Sequence, residues 1–185
     1  MFRRCVIALT CLIIARAGTG TAQQFVAGLA AGGTYSDFSN PDTDSRWGFS
    51  GGLFVGRPTY RSLSLLEVNY TQKGGNSSIG DVRIDYVEVG ITAGGMAGRP
   101  GGSRARAYGG IQVAFPVTCD GRAVLCDNTN TEWAFPVGIL LGRWKDNGGF
   151  MGVDVRYLIP LSDAGLEIFN NTWMFRFVIG RPTGR

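Results

Sequence analysis

Residues 151–161 alternate strictly: Met151, Val153, Val155, Tyr157, Ile159 and Leu161 fall on one side and Gly152, Asp154 and Arg156 on the other. Trp133–Gly142 repeats the pattern, with Trp133, Phe135, Val137, Ile139 and Leu141 set against Ala134, Gly138 and Gly142. So does Thr172–Gly180, where Trp173, Phe175, Phe177 and Ile179 oppose Thr172, Met174, Arg176 and Gly180. A period of two marks β-strands whose faces meet different surroundings. Earlier runs predict further strands over Phe25–Asp37, Trp47–Gly56, Leu63–Gln72, Val82–Ala97 and Arg104–Phe115. Helical periodicity is absent from every window long enough to matter. The expectation is an all-β chain of eight strands in four hairpins.

A repeat supports the hairpin count. Gly56-Arg57-Pro58, Gly98-Arg99-Pro100, Gly142-Arg143-Trp144 and Gly180-Arg181-Pro182 recur at intervals of 42, 44 and 38 residues, each after an apolar, Gly-containing run. Near-equal spacing is the signature of repeated supersecondary units.

The character of the two faces predicts the surroundings. One is large, apolar and aromatic. The other is small or polar and carries Glu67, Asn69, Glu88, Gln112, Asp154, Arg156 and Arg176. The interior of an eight-stranded barrel is only wide enough for side chains to fill it. Small and ionic residues suit that interior, whereas Trp, Phe, Leu and Ile suit lipid. Strands of about ten residues match a tilted membrane crossing. The pattern therefore predicts an antiparallel up-and-down transmembrane β-barrel turned inside out. The competing reading is a secreted lipocalin-like barrel binding a small apolar ligand, with the large apolar residues lining its cavity and Glu67, Asp154 and Arg156 facing water.

Composition and charge sharpen this. The 185 residues include 29 Gly, four Cys and no His, with 18 Lys+Arg against 14 Asp+Glu. Residues 1–22 read as a secretory signal peptide: Arg3 and Arg4, an apolar stretch from Cys5 to Ala15, then Gly20-Thr21-Ala22 before Gln23. Residues 23–185 form the expected barrel domain. Removing the signal takes away three Arg and leaves 15 bases against 14 acids, so the basic pI supports no nucleic-acid partner. Cys119 and Cys126 are expected to form a disulfide pinning a loop. Two Cys with no further ligands nearby make no metal site.

The turns after the Gly-Arg ends carry Arg57, Arg61, Arg99, Arg104, Arg106, Arg143, Lys145, Arg181 and Arg185 against Asp146 alone. The opposite loops and strand tips hold ten acids, among them Asp44, Asp85 and Glu132, against Arg46, Lys73, Arg83 and Arg122. Short basic turns belong on the periplasmic side of an outer-membrane barrel and longer loops outside. Arg57, Arg99, Arg143 and Arg181 are then a periplasmic rim. Glu67 and Glu88 are expected to pair with Arg156 and Arg176 across the lumen, with Asp154 in the same network, closing it to solutes, because unpartnered charges there would be costly.

The segment Gly48–Gly75, followed by Ile84–Gly95, resembles the PorT-like outer-membrane β-barrel family. The match rests on Glu67, Tyr70, Lys73 and Gly74 as an E-x-x-Y-x-x-K-G stretch, and on Ile84, Asp85, Tyr86 and Glu88 in the following strand. Phe25–Phe38, with Gly28, Gly32 and Tyr35, looks like the family's opening strand. The resemblance implies an eight-stranded outer-membrane barrel without shared catalytic chemistry; named members take part in secretion or surface functions. Such barrels commonly end in an aromatic residue. This chain continues past Ile179 to Arg185, so Phe175, Phe177 and Ile179 are the expected internal version.

Without His, a His-assisted Ser hydrolase or acyltransferase is excluded, and Glu67 and Glu88 carry no supporting catalytic motif. Asn40-Pro41-Asp42-Thr43-Asp44-Ser45 has alternate carboxylates but lacks the Gly and terminal Glu of an EF-hand, so it reads as a solvated loop. The sequence thus predicts a non-enzymatic, monomeric barrel in the bacterial outer membrane, with no metal or cofactor. Its expected contacts are outer-membrane lipids, the barrel assembly machinery and an unidentified extracellular partner.

Overall fold

The computed structural model describes residues 25–38, 43–77, 81–99, 101–121, 126, 129–146, 149–164 and 169–183. The signal segment 1–22 and the loop positions Asn40 to Asp42 lie outside them. Eight strands follow one another: β1 (Phe25–Phe38), β2 (Thr43–Pro58), β3 (Ser62–Ser77), β4 (Val82–Gly98), β5 (Ser103–Asp120), β6 (Glu132–Trp144), β7 (Phe150–Pro160) and β8 (Asn170–Thr183). Each pairs antiparallel with the next, and β8 pairs with β1 from Phe25↔Thr183 to Phe38↔Asn170, closing the barrel. Closure leaves no sheet edge, so every strand has two hydrogen-bonded neighbours.

The alternation resolves as the sequence predicts. Leu53, Ile91, Leu141 and Phe177 are 62%, 57%, 56% and 53% exposed on the outer wall, while Glu67, Asp154, Arg156 and Arg176 are buried inside it. The large apolar side chains that a lipocalin-like cavity would need are on the outside. Tyr35, Trp47, Tyr157 and Trp173 band the outer wall toward the acidic end, with ring centroids 5.0 Å apart for Tyr35–Trp47 and 4.8 Å for Tyr157–Trp173. On β6 the outward row runs from Trp133 to Arg143. At a rise of about 3.3 Å per residue and a tilt of about 40°, that row covers about 25 Å along the barrel axis. The row is apolar from Trp133 to Leu141 and ends in the Arg143 cation, with aromatics edging the belt on its acidic side, as expected of a belt facing a bilayer core.

The strands overrun the predicted ones. The β2–β3 and β3–β4 ladders stay paired well past Trp47 and Gln72, to Thr43↔Ser77 and Gly75↔Val82. The hydrogen-bonded wall therefore rises above the apolar belt. Apolar alternation reports only the part of a strand whose outer face is apolar, and the polar continuation carries no such signal. Register shifts occur at Ser45/Ser50 in the β2–β3 ladder and at Asp85/Tyr86 in the β4–β5 ladder. On β6, Pro136 has no N–H to donate, and the β5–β6 pairing is interrupted between Gly109↔Val137 and Gln112↔Ala134.

Candidate functional site

The lumen is built in layers from strand positions of one parity. Nearest the basic end, Trp144 stacks on Phe150 at 5.0 Å and Phe150 on Phe54 at 5.8 Å. Val26, Leu63, Leu65, Leu140 and Val178 complete this apolar floor. Two glycine contacts make room for it: a Cβ at Gly28 would strike the Phe54 ring and one at Gly180 the Phe150 ring.

Above the floor lies an ionic ring. Arg156 from β7 reaches across to Glu67 on β3, with its terminal nitrogen 2.8 Å from Oε1 and 3.0 Å from Oε2. Arg176 from β8 contacts Asp154 at 2.6 Å and Glu67 at 3.2 Å, and also donates to Asn69 Oδ1 at 3.1 Å. Tyr108 on β5 ties the ring together: its hydroxyl donates to Asp154 at 2.5 Å and accepts from Arg156 Nε at 2.9 Å. Arg106 lies over the Tyr108 ring at 4.3 Å and donates to the Leu63 carbonyl and to Thr92 Oγ1.

A second ionic layer sits nearer the acidic end. Lys73 Nζ lies 2.9 Å from Glu88 and 3.1 Å from Glu132, Thr71 donates to Glu88 at 2.8 Å, and Tyr86 donates to Glu132. Phe38, Val82, Ile84 and Ala114 pack around Tyr86. Among the described residues, four acids (Glu67, Glu88, Glu132, Asp154) and four bases (Lys73, Arg106, Arg156, Arg176) are buried facing the lumen. The stack is formally neutral, and each acid faces at least one base. Matched pairing of this kind is what holds charge in a low-dielectric interior.

Several sequence assignments change. Glu67, Asp154, Arg156 and Arg176 form one network as expected, but Glu88 does not join it. Asn69 stands directly opposite Glu88 across the β3–β4 ladder, so Glu88 lies nearer the acidic end than Glu67 and meets Lys73 instead. Lys73 and Glu132, assigned to the acidic tips, and Arg106, assigned to the basic turns, are lumen residues. For Lys73 and Glu132 the strands continue farther than the apolar pattern shows, whereas Arg106 lies within the predicted fifth strand, and in all three cases parity turns the side chain inward. Tyr108 was missed; its place two residues from Arg106 on the inward side of β5 was the available signal.

The residues behind the family resemblance acquire partners. On the outer wall Tyr70 donates to Asp85 at 2.7 Å, and Arg83 clamps the same carboxylate with two nitrogens, each at 2.8 Å. Inside, Lys73 holds Glu88. The two motifs thus lie on adjacent strands and bond to each other on both faces of the wall.

The lumen leaves little space. The cavity among Glu67, Arg106, Asp154, Arg156 and Arg176 has a volume of about 10 Å³, enough for about one water. Arg57, Arg99, Arg143 and Arg181 are exposed at the basic end as expected. Cys119, near the end of β5, is disulfide-bonded to Cys126 beyond it, with Cα atoms 5.5 Å apart. Among the described residues no group of three or more His, Cys, Asp or Glu is placed to hold a metal ion.

The sequence matches no protein-family model and no curated protein. Among solved structures, the N-terminal β-barrel domain of Pseudomonas aeruginosa OprF aligns over 85% of this chain and 97% of its own, with 13% identity and a TM-score of 0.49. The attachment invasion locus protein Ail of Yersinia pestis aligns over 84% of this chain and 98% of its own, with 13% identity and a TM-score of 0.45. Ail in complex with the heparin analogue sucrose octasulfate aligns over 85% and 99%, with 12% identity and a TM-score of 0.45.

Proposed function

We propose that the protein is a small outer-membrane barrel with a plugged lumen and no enzymatic activity, acting as a structural or surface-interaction protein through its extracellular loops. The observation that carries this reading is the inversion of the barrel: a neutral, paired ionic stack on an aromatic floor inside, and a belt of aliphatic and aromatic side chains outside. Lipid contact removes the cost of that outer belt, and ion pairing removes the cost of the inner charges. The polarity of the ends supports an orientation with the Arg rim in the periplasm. The PorT-like resemblance is the finer family reading, supported by the mutual bonding of its motif residues.

Fractionation of cells expressing the full chain tests the membrane reading. The protein is expected in the outer-membrane fraction, to require detergent, and to migrate differently on gels before and after boiling. A soluble periplasmic species would overturn it. Planar-bilayer recording tests the plug separately: no stable conductance on the nanosiemens scale is expected, and a stable one would show an open lumen.

A further inference from the structure

At the basic end, the β6–β7 turn and the end of β8 frame a cavity of about 730 Å³. Its lining is divided. Arg143, Lys145 and Arg181 supply three cations, and Met151, Ile179 and Pro182 an apolar wall. Met151 stands directly opposite Arg143 on β6 and Ile179 on β8, so the three form one row on the outer face. The next row toward the belt is Leu141, Val153 and Phe177, again directly opposite one another and each more than half exposed. An apolar slot therefore descends from a cationic rim.

The charge at this rim is unanswered. Arg143, Lys145 and Arg181 are all exposed, and among the described residues none takes part in a salt bridge. Asp146 is the acid on the lining, which leaves a net charge of +2. The Trp144 indole, on the same lining, is 3% exposed and its N–H has no hydrogen-bond partner among the described residues. Lysine and arginine nitrogens beside an apolar slot are complementary to a phosphate that carries acyl chains.

We propose that this cavity binds the headgroup phosphate of an anionic glycerophospholipid of the periplasmic leaflet, with its acyl chains along Leu141, Val153 and Phe177. The proposal rests on the membrane reading above and names a lipid class for its rim. An anionic rather than zwitterionic lipid follows from three cations facing one carboxylate, and an amphiphile rather than a soluble polyanion from the apolar row that continues into the belt.

Native mass spectrometry of the full-length mature barrel, delipidated in a non-ionic detergent, tests it. A one-to-one adduct with phosphatidylglycerol is expected, favoured over phosphatidylcholine by about tenfold, the equivalent of about 1.4 kcal/mol. Replacing the three cations (Arg143→Gln, Lys145→Gln, Arg181→Gln) is expected to bring phosphatidylglycerol down to the phosphatidylcholine level. Arg57→Gln with Arg61→Gln, elsewhere on the same rim, is expected to leave the preference intact. Equal binding of the two lipids by the unaltered barrel overturns the proposal, as does an equal loss in the Arg57/Arg61 variant, which would mean diffuse rim charge. Displacement of the lipid by millimolar inorganic phosphate would assign the site to free phosphate and also overturn it. Heat-modifiable migration verifies folding of each variant, and Arg181→Gln alone gives the same comparison should the triple variant not fold. A barrel that fractionates as soluble fails the membrane reading; a membrane barrel without the lipid preference fails only this site.

Discussion

Glu67 holds the central position in the lumen because it accepts from both Arg156 and Arg176, which arrive from strands on the far side of the barrel. Truncating it leaves two buried guanidinium groups sharing Asp154. Glu67→Ala is therefore expected to destabilise the barrel by about 3–5 kcal/mol, measured by guanidinium unfolding in phospholipid vesicles. Arg57→Ala at the exposed rim serves as the control and is expected to stay within about 0.5 kcal/mol of the unaltered protein. Gly28 acts through shape rather than charge. Its hydrogen lies against the Phe54 ring and the β8 backbone, where a Cβ would clash. Gly28→Val is expected to cost about 1–3 kcal/mol through overpacking of the aromatic floor, seen in the same titration. Parity of the alternation made Glu67, Asp154, Arg156 and Arg176 legible as lumen residues. Partner choice was not legible, because strand tilt and stagger decide which inward residues share a level. Glu88 shows this: it has the right parity for the central ring and the wrong height.

At the scale of strands and hairpins, the eight elements were readable because a bulky apolar outer face and a tight small-or-ionic interior enforce a period of two. Their ends were less so. Thr43–Arg46, Lys73–Ser77 and Pro116–Asp120 carry the ladder above the belt with polar or mixed side chains, where hydrogen bonding alone maintains the strand. The disulfide acts at the top of this extension. Cys119 lies near the end of β5 and pairs with Ile84 of β4, and Cys126 ties the following segment to it. Cys119→Ser is expected to lower stability by about 2–3 kcal/mol by the chain-entropy relation and to make the β5–β6 segment a site of early protease cleavage. Limited trypsin digestion, followed by mass analysis of the fragments, reads the second effect. Unchanged cleavage kinetics would mean that the bridge does not restrain the segment.

For the whole molecule, the charge map separates into a cationic end, a neutral interior and an acidic end. Moving Arg106, Lys73 and Glu132 into the lumen leaves the interior balanced and concentrates the net charge at the rims. The lumen is filled in two parts, the ionic layers and the Trp144–Phe150–Phe54 floor. Removing the central charges together, as in the variant Glu67→Gln, Asp154→Asn, Arg156→Gln and Arg176→Gln, is expected to leave the barrel non-conducting in planar bilayers because the aromatic floor remains in place. Stable nanosiemens steps in that variant would show that the ionic ring is the sole barrier.

What the sequence determined by itself was the kind of wall. Its alternation, its Gly-Arg repeat and the contrast between a bulky apolar face and a small ionic one specify an eight-stranded barrel turned inside out, because each is a local consequence of one strand meeting two environments. The tertiary structure decided how the interior is filled. It divided the charges into a Glu67–Arg156–Arg176–Asp154 ring and a Lys73–Glu88–Glu132 layer, drew in Tyr108 as the bridge and gathered three rim cations over one apolar slot. Those contacts join residues far apart in the chain, and the barrel's register, rather than any local pattern, brings them together.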